Sequence, residues 1–221
     1  GTFPVFDKNG TFLFAIRPGG VFLCTLDQLY LPGIIYFVGL LILLFYFRRE
    51  VLKSKTTFFL RLFGLATALF IVYWLHLLFE IPAVLQYLPF FSPEIFALND
   101  WLPSLGDYFL LILFFAFWLY NFSKDLNVDE IREDSTLSRK FVVSLLLLFA
   151  ASLFLLTNFF IETLVNNSTI SFSLNKITGI SLQSVLGIFS VGLMLSSNIF
   201  FTIKIMDEAC RDFKLSHLVV V

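Results

Sequence analysis

Five stretches of this chain run for a helix-spanning length with one formal charge or none: Leu29–Phe47, Leu62–Phe79, Leu102–Phe122, Phe141–Ile161 and Ile177–Ile203. The single exception within them is Asp107. About 20 apolar residues rising about 1.5 Å each cross the hydrocarbon core of a bilayer, and a helix satisfies its own backbone there. The sequence therefore predicts an all-α integral membrane protein with five transmembrane helices. Hydrophobic residues make up 58% and charged residues 14%, with a mean hydropathy of +0.90, values foreign to a soluble core. The connections are too short to fold as catalytic domains, which sets aside soluble enzymes and enzymes carried on a soluble head of this chain.

Orientation follows from the basic residues, which favour the cytoplasmic side of short loops. With the N-terminus outside and the C-terminus inside, Arg48, Arg49, Lys53, Lys55, Arg61, Lys124, Arg132, Arg139, Lys140, Lys204, Arg211 and Lys214 face the cytoplasm, and only Lys8, Arg17 and Lys176 do not. The net charge of −1 and the lack of a basic stripe give no footprint for nucleic acid. Cys24 precedes the first span and Cys210 follows the last, so the two are expected on opposite sides and unable to pair within one chain.

Residues 1–28 read as the end of an extracytoplasmic region, residues 29–203 as the transmembrane domain and residues 204–221 as a cytoplasmic tail leading to a further output domain. Asp7-Lys8-Asn9-Gly10 between β-prone flanks is a tight-turn signal and predicts an N-terminal β-hairpin. Without an initiator Met, the chain is expected to be a piece of a longer protein. Pro32-Gly33 is placed in the first turn of the first span. The loop 80–101, rich in Pro and aromatics, is expected to lie on the membrane. The polar loop 123–140 is expected to form a short solvated helical hairpin, and the loop 162–176 a turn and a short strand. The last span exceeds what a bilayer needs and runs without Pro into Lys204-Ile205-Met206-Asp207-Glu208, so it is expected to emerge as a continuous helix.

Chemistry-bearing residues are few. His76 and Glu80 are four apart on the second span, and Asp107 enters the third from the same side. The three are candidates to hold a divalent ion or relay a proton. The alternative places Asp107 at a helix N-terminus after Pro103-Ser104, Glu80 among the headgroups, and His76 in a hydrogen bond to a neighbouring helix. No catalytic motif, cofactor-binding loop or spaced metal-ligand set is present, and no catalytic residue, cofactor or metal is assigned. Gly64, Ala68, Gln183, Gly192, Ser196 and Asn198 are candidates for helix packing and signal transmission, since small and amide side chains let helices approach and hydrogen-bond in lipid.

The run Asn99-Asp100-Trp101-Leu102-Pro103-Ser104-Leu105-Gly106-Asp107-Tyr108, and the later Leu164–Ile177 with its Asn166-Asn167-Ser168-Thr169, resemble the membrane portion of large sensor histidine kinases of the Bacteroidota. The resemblance implies a signal-transducing module in the bacterial inner membrane, a homodimer in the full-length protein, and a response regulator reached only through a kinase core beyond this segment. The tail departs from that pattern, since Leu218-Val219-Val220-Val221 lacks a heptad or kinase box. A small transporter or channel component using His76, Glu80 and Asp107 is the alternative, and a lipid-acting membrane enzyme a third reading on the same residues.

Overall fold

The structure is a computed structural model that describes residues 3–6, 12–16, 26–53, 57–79, 88–98, 101–126, 128, 138–168 and 181–213. Two short strands, β1 (Phe3–Phe6) and β2 (Phe12–Ile16), pair antiparallel with a register shift after Val5. Five long helices follow: α1 (Leu26–Lys53), α2 (Phe58–Phe79), α3 (Leu105–Asp125), α4 (Arg139–Asn166) and α5 (Leu182–Phe213). All five are long and apolar enough to cross a membrane, which makes this a multi-pass membrane protein.

Their limits differ from the uncharged runs for local reasons. Within α1, Pro32 falls in the second turn, where it removes one backbone hydrogen bond. Arg61 does not stop α2, which begins a turn earlier at Phe58 because a half-buried Arg can lay its methylenes along the helix. Pro103 and the extended Ser104 delay α3 to Leu105. Helix α4 continues through Asn166, so Glu162–Asn166 is helical rather than turn. The 123–140 connection does not begin solvated: Leu126 and Val128 are buried in the core. The expected turn at 7–11, Cys24, Glu80, the segment 169–180 and residues 214–221 of the expected tail lie outside the described residues.

Helix α3 is the hub. Of its spanning stretch 61% is buried, against 17% for α1 and for α2. It packs on α5 and α2, while α4 packs on α5 and α1 on α2. At one end Leu119 and Phe122 of α3 meet Phe58, Val143, Phe201 and Ile205. At the other, Leu105, Tyr108 and Ile112 meet Phe96, Leu164 and Met194. A 3₁₀ turn at Pro89–Phe91 and an isolated bridge between Phe96 and Ser168 lay residues 88–98 across this second end. Outward faces are apolar, with Phe63 and Leu155 about three-quarters exposed, as lipid contact requires.

Candidate functional site

Under that cover, the C-terminal end of α2 meets the N-terminal end of α3. Ser104 is the N-cap of α3, and its hydroxyl oxygen accepts from the Asp107 amide at 3.2 Å. The same hydroxyl donates to Asp107 Oδ2 at 2.5 Å. A carboxylate in the first turn is favoured by the unpaired amides there, and His76 in the last turn of α2 faces the opposite end of a helix dipole. The two helix ends thus bring complementary groups together: His76 Nε2 lies 2.9 Å from Asp107 Oδ1, with the two side chains 8% and 7% exposed.

Because an ionised carboxylate only accepts, Nε2 carries a hydrogen toward Asp107. On the other side of the ring, Nδ1 is 3.1 Å from the Tyr36 hydroxyl of α1, whose ring stacks on the imidazole at 5.9 Å. A polar chain Tyr36–His76–Asp107–Ser104 therefore joins α1, α2 and α3. Phe91 of the 3₁₀ turn closes over it, its ring edge-on to His76 at 6.2 Å. Gly106 permits this approach, since a Cβ there would stand 2.5 Å from Phe91 Cε1. Beside the chain, the Tyr73 hydroxyl donates to the Trp101 carbonyl at 2.6 Å, and Trp101 packs on Trp74 at 5.0 Å, an arrangement suited to the headgroup boundary.

The structure thus brings His76 and Asp107 into contact, with Asp107 at a capped helix start and His76 bonded across to neighbouring helices. Glu80 is outside the described residues. Among the described residues no three His, Cys, Asp or Glu side chains gather as a metal site. Sequence reasoning missed Tyr36 and Tyr73; the available signal was a phenol inside an apolar span, which needs a hydrogen-bond partner when buried.

The expected packing residues divide. Asn198 is fully buried and its amide donates to Thr157 Oγ1 at 2.7 Å, tying α5 to α4. Gln183 and Ala68 are half-buried. Gly64 and Gly192 are exposed, with nothing within 4 Å of an added Cβ, and Ser196 is exposed as well. Among the described residues, Gly64 and Gly192 thus have no neighbouring side chain packed against the Cα. The buried small residues in the first half of α5 are Ser184, Gly187 and Ser190, three apart, followed by Met194, Asn198 and Phe201. Small residues populate both faces of α5, and only the neighbours decide which face is covered.

No protein-family pattern, characterised protein or solved structure matches this chain.

Proposed function

We propose that the chain is the transmembrane signal-transducing module of a receptor of the sensor histidine kinase type, carrying an extracytoplasmic signal to a cytoplasmic output. The observation that carries this reading is α5: it packs on the hub helix α3 and continues unbroken from the apolar region through Lys204, Asp207 and Glu208 to Phe213. A helix seated in the bundle and emerging as one rigid rod transmits a rotation or slide at its inner end. At the opposite end, the Tyr36–His76–Asp107–Ser104 chain holds α1, α2 and α3 in one arrangement, so a change there moves the helix on which α5 rests.

In this reading the N-terminus and its hairpin are extracytoplasmic, the basic helix ends face the cytoplasm, the membrane is a bacterial inner membrane, and the full-length protein is a homodimer. The output partner is a response regulator, reached through domains beyond this segment. Ion or proton translocation through His76 and Asp107 is the competing reading, favoured by their burial. Against it, the buried positions of α3 from Leu110 to Leu119 are apolar over roughly 14 Å.

One insertion tests the proposal. A single residue added after Ile203 in the full-length receptor rotates everything downstream by about 100° and is expected to lock or abolish output. Two added residues and wild-type linker controls separate rotation from length. Unchanged output would refute the continuous-rod reading, and a proton flux in vesicles lost on His76→Ala would favour the transporter.

A further inference from the structure

Helices α1 and α5 flank the same side of α3, leaving a cleft between them that opens sideways toward lipid. A hollow of about 460 Å³ is walled by Leu41 and Phe45 of α1, Leu113 and Phe117 of α3, and Leu193 and Phe200 of α5. A second, of about 230 Å³, continues it toward the covered end between Phe37, Phe109 and Leu186. Phe109 touches Phe37 and Phe189, each at 6.0 Å, and marks the join. The serines of the larger hollow add no polarity, since Ser196 and Ser197 donate to the carbonyls of Leu193 and Met194 on their own helix.

The far end of the cleft is different. Tyr120 of α3 stacks on Phe200 of α5 at 5.9 Å, and the Arg48 guanidinium of α1 lies 5.6 Å from the Tyr120 ring centre. Arg48 has no acidic partner among the described residues. Lys124 and Lys204 stand one turn beyond Tyr120 and Phe200, so each of the three helices carries a cation near this level. Asp125 turns away, lining a small hollow with Arg61.

We propose that this cleft binds an anionic phospholipid, with one acyl chain along α3 and the phosphate against Arg48. The walls are apolar over their length, and the charge that closes the mouth, Arg48 over the Tyr120 ring, is positive, which complements a phosphodiester. Lipid in this cleft wedges between α1 and the output helix, which makes headgroup charge an input to the signal.

The test uses the 221-residue chain in detergent, titrated with palmitoyl-oleoyl phosphatidylglycerol or the matching phosphatidylcholine and read by native mass spectrometry. The first phosphatidylglycerol is expected to bind more tightly than phosphatidylcholine. Arg48→Gln should reduce only the phosphatidylglycerol affinity, by about fivefold, the worth of one cation at an anionic surface. Arg48→Lys keeps the charge and should keep the preference, and Leu193→Trp, which fills the larger hollow, should weaken both lipids. Equal binding of the two lipids, or a preference indifferent to Arg48→Gln with folding confirmed by circular dichroism, overturns the proposal. So does a protein dimer that excludes lipid and dissociates on Leu193→Trp, which would assign the cleft to a second copy.

Discussion

Removing the Asp107 carboxylate isolates the energetics of the polar chain. Asp107→Ala strands two buried donors, His76 Nε2–H and the Ser104 hydroxyl, which now meet the carboxylate at 2.9 and 2.5 Å. Each abandoned donor costs about 1–3 kcal/mol, and a helix N-terminus losing its negative charge about 0.3–1 kcal/mol more, so the single change should destabilise by roughly 2–7 kcal/mol. His76→Phe keeps the ring against Tyr36 but takes one donor from a buried carboxylate, worth about 1.5–3 kcal/mol. The double variant removes both halves and leaves two hydroxyls, of Ser104 and Tyr36, to reorient. Its cost should fall below the sum of the singles by about 1–3 kcal/mol, the coupling expected of residues in one network. Equilibrium unfolding of the detergent-solubilised chain in SDS, followed by the fluorescence of Trp74 and Trp101 beside the site, measures all three. Single costs under about 0.5 kcal/mol, or strict additivity, would show that the pair does not hold the helices together and would remove the latch from the signalling scheme.

Gly106→Ala drives a Cβ into the Phe91 ring and should lift the 3₁₀ turn from α3 at about 1–3 kcal/mol, relieved by pairing it with Phe91→Leu; unfolding measurements on the two variants check this. Gly187→Leu on the buried face of α5 should destabilise by a similar overpacking cost of about 1–3 kcal/mol, whereas Gly192→Leu, with open space around it, should stay within about 0.5 kcal/mol of wild type in the same assay.

The five spans were legible because a bilayer demands long uncharged runs, and nothing soluble imitates them. Boundaries were less so: Arg61 was read as an end although its aliphatic stem is compatible with the first turns of α2. At the site, His76 and Asp107 were conspicuous as titratable groups in apolar sequence, and Ser104 followed from the capping pattern. Tyr36 is separated from His76 by forty residues and shares no periodicity with it, so only the packing of α1 on α2 brings it into the chain. Gly192 shows the converse. A glycine in a membrane helix announces that close approach is permitted, not that a neighbour has come close.

The hub position of α3 has a consequence for the order in which the protein is made. Spans enter the bilayer from the N-terminus onward, so α1 and α2 arrive carrying His76 and Tyr36 before Asp107 has been synthesised. Until the third span is delivered, the imidazole has no carboxylate, and the helical pair lacks the surface against which Leu65, Leu69 and Tyr73 come to rest. The α3–α5 contact, the most extensive between helices, closes only after α4 has passed through as well. Assembly in the membrane therefore waits on its third and fifth members, and a nascent chain halted after Phe79 presents His76 without its Asp107 partner to the quality-control machinery that surveys the bilayer.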